Sequence, residues 1–138
     1  MVRLVNDVSS GSEVKADPVK LHKVGTSLYD SGKFEEAMDK FLEASNLYEK
    51  VKNFFDASYT LFKAGECSFL LKDYDVAIER FTKAADIALE KGYDRFGLGA
   101  LEYALDCYKA MGKEKDNKAA ELKKKIAEVK KKIEASAF

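Results

Sequence analysis

The stretch Leu61–Ala84, LFKAGECSFLLKDYDVAIERFTKA, decides how this chain is read. It has the pattern of two helices meeting at a tight turn, Lys72-Asp73. It also has counterparts forty residues away on both sides. Upstream, Gly65 matches Gly25, Tyr74 matches Phe34, Ala77 matches Ala37, Phe81 matches Phe41 and Ala84 matches Ala44. Downstream, Leu61 matches Leu101, Ala64 matches Ala104 and Cys67 matches Cys107. A fixed period of this length marks an array of helix pairs stacked side by side.

Working outward, the first pair opens at Asp17, a good N-cap, with Pro18 at the first helical position. Leu21, Val24, Gly25 and Leu28 then recur at helical spacing. Gly32 ends the helix, since glycine accepts a left-handed conformation at low cost. The partner helix runs from about Phe34 to Val51 with Ala37, Phe41, Ala44 and Tyr48 on one face. The second pair covers Phe55–Leu71 and Tyr74–Lys91, closed by Gly92. The third begins near Asp94 and presents Leu101, Ala104, Leu105 and Tyr108 before Gly112. The last helix, about Lys118 to Ala135, departs from the pattern. Its apolar residues Leu122, Ile126, Val129 and Ile133 form a narrow stripe on a lysine-rich cylinder. Gly25 and Ala37, and Gly65 and Ala77, are expected where paired helices cross. Phe41 and Phe81 are expected in the wedge between one pair and the next.

These residues resemble the tetratricopeptide repeat. The first pair fits through Leu21, Val24, Gly25, Leu28, Ala37, Phe41 and Ala44. The second fits through Leu61, Ala64, Gly65, Ala77, Phe81 and Ala84, with Ser68 short of the bulk the family places there. The third fits in its first helix alone, where Leu105 replaces the glycine. The period exceeds the usual ~34 residues, and the wording FEEAMDKFLEASNLYEKVKNFFDAS followed by YDVAIERFTKAADIALEKG looks most like soluble NSF attachment proteins. The resemblance implies an all-α fold: a right-handed superhelix of three helix pairs, repeats of about 17–52, 54–92 and 94–135, with the last helix as cap. Residues 1–16 are expected to be a flexible arm preceding a domain of 17–138.

Composition sets the outer limits. Charged residues make up 35% and hydrophobic residues 46%, with one proline, the profile of a soluble helical domain. The 24 basic and 24 acidic residues cancel, so the whole-chain charge calls for neither nucleic acid nor a membrane. Lys113–Lys132 is the exception, with nine lysines against four acidic residues. Solvation of a capping helix explains that excess; pairing of the apolar stripe with a second copy as a homo-oligomer is the alternative, and contact with anionic lipid or nucleic acid, for which a basic surface alone is weak evidence, comes last. Cys67 and Cys107 are expected to be buried free thiols in a cytoplasmic, reducing setting. No signal segment or membrane-length apolar run is present in the sequence.

No catalytic constellation is recognisable, and the chain is expected not to be an enzyme. His22 is the sole histidine and lacks ligand spacing, so no metal site and no cofactor are expected. The glycines are isolated turn markers rather than a phosphate loop. What the repeat resemblance implies instead is a concave groove lined by the first helix of each pair. Its expected partner-binding residues are Thr26 and Tyr29 from the first pair, Tyr59, Phe62, Lys63, Glu66 and Phe69 from the second, and Glu102, Tyr103 and Asp106 from the third. The positions that clamp a chaperone's C-terminal carboxylate in some relatives hold His22, Thr26, Lys63, Gly99 and Tyr103 here, so that partner is excluded. Two readings remain open: a groove that anchors a peptide or helix on its aromatics, or Phe62 and Phe69 covered by the N-terminal arm or a neighbouring helix. An adaptor for a membrane-trafficking or AAA-type assembly is the alternative function.

Overall fold

The computed structural model describes residues 17–137, and the expected arm at 1–16 lies outside them. Six helices follow one another: α1 Pro18–Asp30, α2 Phe34–Lys50, α3 Phe54–Leu70, α4 Tyr74–Glu90, α5 Asp94–Ala110 and α6 Asn117–Ser136. Among the described residues there is no strand. Each helix packs on the one before and the one after it. The chain is therefore a TPR-like helical array, and the six-helix pattern read from the sequence is correct to within one or two residues at each end.

Asp17 caps α1, accepting hydrogen bonds from the amides of Val19 (2.9 Å) and Lys20 (3.5 Å). The connections after α1 to α4 have three residues each and share one geometry. The left-handed residues fall at 32, 52, 72, 92 and 112, with φ of 78°, 64°, 62°, 85° and 69°. At each, two amides fold back on the final turn. After α3, for instance, Lys72 N donates to Phe69 O at 2.9 Å and Asp73 N to Ser68 O at 2.8 Å. Three of these positions are glycine, as expected, but two are lysine. A lysine there carries a Cβ that crowds the following carbonyl. Lys72→Gly is thus expected to raise stability by about 0.5–1 kcal/mol, once the freer unfolded chain is counted. Urea denaturation reads this; an unchanged or lower midpoint would show that the left-handed lysine is not strained.

These turns disclose a finer period than the one read from sequence. From α2 to α5 each helix repeats the last at a spacing of twenty. Ala37, Ala57, Ala77 and Gly97 are equivalent and buried, as are Ala44, Ala64, Ala84 and Ala104. The large core residue at the next equivalent place alternates: Phe41, Leu61, Phe81, Leu101. Residues sixteen before them alternate in step, as Gly25, Ser45, Gly65 and Ala85. Cβ atoms added at Gly25 and Gly65 would lie 2.9 Å from Phe41 and 2.8 Å from Phe81. The glycines therefore seat a phenylalanine ring of their own pair. The rings also meet the next pair, as expected: Phe41 clusters with Ala64 and Cys67, and the Phe81 ring centroid lies 5.5 Å from that of Tyr103. Forty residues is thus two steps of twenty with alternating ring and glycine.

Gly97, not singled out by the sequence reading, serves the junction between pairs: a Cβ there would lie 2.7 Å from Leu89. Ser68, short of bulk, is buried for another reason. Arg80 Nη1 donates to its Oγ at 2.9 Å, and the hydroxyl donates to Ala64 O at 3.2 Å. Cys67 and Cys107 are buried and unpaired, as expected. Burial pushes their thiols up to about 11 and about 12 respectively.

Helix α6 closes the array. Leu122, Ile126 and Val129 are buried against the core that contains Leu101, Ala104 and Cys107, and Ile133 packs beside them. The stripe is thus occupied within the chain, so a coiled coil with a second copy would have to displace it. Lysines of α6 reach back to carboxylates: Lys125 to Asp86 at 3.0 Å, Lys130 to Glu102 at 3.6 Å and Lys132 to Asp94 at 3.5 Å.

Candidate functional site

Alternate helices α1, α3 and α5 present equivalent faces, because each is separated from the next by two twenty-residue steps. Along these faces runs a chain of aromatic rings. His22 of α1 lies 5.7 Å from Tyr59 of α3, and Tyr59 lies 6.1 Å from Phe96 of α5. Phe96 meets Phe62 edge-on at 5.4 Å, and Phe62 meets Tyr103 edge-on at 5.0 Å. Phe55 extends the run at one end, 5.7 Å from Phe96 and 5.1 Å from Tyr93. Such edge-to-face contacts suit the ring quadrupoles and hold the rings in fixed orientations. Tyr103 remains 43% exposed, Phe55 41% and Tyr93 40%, so the run has a solvent-facing apolar surface.

Of the ten residues expected in the groove, seven are brought together. Tyr59, Phe62 and Tyr103 belong to the run. Tyr29, Glu66, Phe69 and Tyr103 line one small hollow of about 80 Å³. Lys63 stands between, its Nζ 4.0 Å from the centre of the Tyr29 ring and 2.7 Å from Glu66 Oε1. Burial opposes the Lys63 charge, but the Glu66 hydrogen bond and charge outweigh it and hold the amine above its ordinary pKa. Burial also raises the Tyr29 phenol, with Glu66 adding to the effect. Phe69 packs at the far edge, 5.3 Å from Tyr74.

Three residues do not join the run. Thr26 donates its hydroxyl to His22 O at 3.0 Å, a turn within its own helix. Glu102 pairs with Lys130 of the capping helix. Asp106 is exposed and has no partner in the run. Phe62 is half-buried, 5.3 Å from the fully buried Phe81 of the neighbouring helix. His22 is partly buried beside Phe41, Tyr48 and Tyr59, with Nδ1 3.4 Å from the Tyr48 hydroxyl. Desolvation lowers its pKa. Phe96 and Phe55 were missed. The helices are 17 residues long, so their faces begin a turn earlier than a shorter repeat would suggest. The signal was present: Phe96 and Tyr103 are seven residues apart, as are Phe55 and Phe62, and so share a face.

A larger hollow of about 930 Å³ lies elsewhere, between the start of α4 and the α5–α6 connection. It is a polar cleft flanked by Asp75, Glu79, Lys113 and Lys118. Forty residues upstream, Glu35, Ser68, Asp73 and Arg80 edge its counterpart of about 450 Å³. Both are what the three-helix junction leaves open, and neither gathers convergent chemistry. Among the described residues no group of three or more His, Cys, Asp or Glu could hold a metal ion, and no helix is long and apolar enough to cross a membrane.

The chain is similar to known proteins. The BBSome complex member bbs-4 of Caenorhabditis elegans is 30% identical over 92 residues, covering 67% of this chain and 19% of that protein. The chain thus spans about a fifth of the length of that relative. The family model described as "Soluble NSF attachment protein, SNAP" matches residues 13–137. With nearly the whole helical array inside that match, the chain belongs to the soluble NSF attachment protein family.

Proposed function

We propose that the chain is a protein-interaction adaptor that binds a helix or extended segment of a partner protein across α1, α3 and α5. The observation that carries this reading is the unbroken aromatic run from His22 to Tyr103, three of whose flanking rings remain about 40% exposed. Exposed rings held rigid by their neighbours are the usual anchors of protein recognition, because little side-chain entropy is lost on binding. The Lys63–Glu66 pair beside them supplies a polar rim. Both comparisons concern proteins that attach to, or are members of, larger assemblies. A chain of this kind would act by holding components together rather than by chemistry of its own, in keeping with the absence of any recognisable catalytic set in the sequence.

The test is Phe55→Ala combined with Tyr103→Ala. Both rings are substantially exposed, so melting should change little. Capture of partners from native lysate should fall by roughly tenfold or more, the loss of about 1.4 kcal/mol. A folded double variant that captures every wild-type partner would refute the site. A second reading takes up the resemblance to soluble NSF attachment proteins: an adaptor in a membrane-trafficking or AAA-type assembly. Purified NSF-type ATPase as the probe separates it from a general peptide binder.

A further inference from the structure

The hollow of about 80 Å³ on the face shared by α1, α3 and α5 has walls that the repeat does not require. Tyr29, Glu66, Phe69, Leu70 and Tyr103 surround it, and the fully buried Phe81 lies at its inner end. Forty residues earlier the counterpart of Phe81 is Phe41, and the neighbouring positions keep the same register. There Asp30 stands for Leu70, Lys63 for Tyr103 and Thr26 for Glu66. Aspartate and lysine serve the fold at those places, so the array does not need apolar residues there. Yet Leu70 is 45% exposed, and Tyr103 nearly as much. Two large apolar side chains left in water beside a ready-made depression mark a contact for another molecule.

We propose that this hollow seats one branched aliphatic side chain, of leucine or isoleucine size, from a segment of a partner protein. The inference rests on the reading of this face as a protein-binding surface and names what that surface takes. Size sets the class. A core cavity of ~150 Å³ holds benzene, and this hollow has about half that volume. A branched aliphatic chain fits it and a ring does not. The walls set the polarity. Four of the six lining residues are aromatic and a fifth is leucine, so an apolar occupant sheds water without stranding a polar group. The rings are also held in place. Phe69 meets Tyr74 edge-on at 5.3 Å, Tyr103 meets Phe62 edge-on at 5.0 Å, and Lys63 Nζ stands 4.0 Å over the Tyr29 ring. A hollow kept open by its own neighbours costs little to occupy. Charge then selects what flanks the anchor. Glu66 is the one carboxylate in the lining, and Lys63 engages its Oε1 at 2.7 Å from outside the hollow. An acidic residue next to the anchor is therefore repelled, whereas a neutral or basic one is accepted.

The probe is N-acetyl-leucinamide, titrated into the full chain and followed by NMR shifts of the Leu70 methyls and the Tyr29 and Tyr103 rings. Saturable shifts at these three residues are expected. N-acetyl-phenylalaninamide, too large for the hollow, and N-acetyl-leucine, with its free carboxylate, should each bind more weakly by roughly threefold or more. Leu70→Asp installs the residue of the α1 counterpart, and Leu70→Trp fills the hollow. Each should weaken leucinamide binding by roughly tenfold or more. Leu70 is the last residue of α3 and is exposed, so both variants should melt close to wild type. Phenylalaninamide binding as tight as that of leucinamide, or wild-type leucinamide binding in both variants, would overturn the proposal. So would capture of partners that survives both Leu70 variants but is lost in the combined Phe55→Ala, Tyr103→Ala protein; the surface reading would then stand without this anchor. If that combined variant captures every partner, the surface reading itself falls, and the anchor with it.

Discussion

Gly65→Ala should destabilise this protein by about 1–3 kcal/mol, although glycine to alanine inside a helix normally helps by up to about 1 kcal/mol. The added Cβ would lie 2.8 Å from two carbons of the Phe81 ring. That ring is fully buried, with Tyr103 and Phe62 on other sides, and cannot move aside without disturbing them. Phe81→Leu alone should cost about as much, since it leaves a void where the ring lay over glycine. The combination is the informative case. The equivalent place one step later already holds Ala85 with Leu101, both buried in one cluster. The double variant should therefore recover most of the loss, with a coupling energy of about 1 kcal/mol or more between the two sites. Thermal or urea unfolding of the four proteins measures this. Additive losses would show that the ring and the glycine are not a matched pair, and the account of the forty-residue period would fall with them.

That pairing also explains what was legible beforehand and what was not. The repeat of forty could be read because Gly25–Phe41 and Gly65–Phe81 are chemically alike. The underlying repeat of twenty was hidden because intervening pairs use Ser45–Leu61 and Ala85–Leu101, which fill a similar volume with different residues. Its turns were hidden too. Gly32, Gly92 and Gly112 announce a left-handed residue, whereas Lys52 and Lys72 adopt the same φ without any sequence signal. Local propensity is overridden there by the two backbone hydrogen bonds that each turn completes.

The aromatic face was partly legible for a similar reason. A repeat template places Tyr59, Phe62 and Tyr103 on the correct side of their helices, because helical periodicity does not depend on the neighbours. It does not report how far a ring sinks into the core, which is why the sequence left open whether Phe62 stands free or is covered; its ring lies 5.3 Å from that of Phe81. Nor does it report competition from a distant helix. Glu102 was expected beside the aromatics, but Lys130 lies 3.6 Å from its carboxylate. A capping helix with this many lysines draws nearby carboxylates toward itself.

The same helix supplies the other large expected effect. Ile126→Asp should release α6 from the array. Besides the small Ala119, the residues buried along it are Leu122, Ile126 and Val129, so Ile126 is the centre of a short apolar contact. A carboxylate there must either stay charged without a partner or become protonated. Either course costs several kcal/mol, comparable to the whole apolar contribution of three side chains at about 1.5–3 kcal/mol each. The ion pairs cannot compensate. Lys125–Asp86, Lys130–Glu102 and Lys132–Asp94 have lysine side chains 47%, 54% and 64% exposed, and pairs this open contribute about 0–1 kcal/mol. Lys125→Ala and Lys130→Ala should accordingly behave almost as wild type. In Ile126→Asp, far-UV circular dichroism should lose the signal of a 20-residue helix. Exchange should accelerate throughout α6 while α1 to α3 keep their protection. The uncovered face of α5, with Leu105 and Tyr108, should then bind a hydrophobic dye or draw molecules together, which light scattering would register. If the lysine variants unfold α6 and Ile126→Asp does not, the cap is held by charge rather than by its apolar stripe, and it would open with rising salt instead of with loss of three side chains.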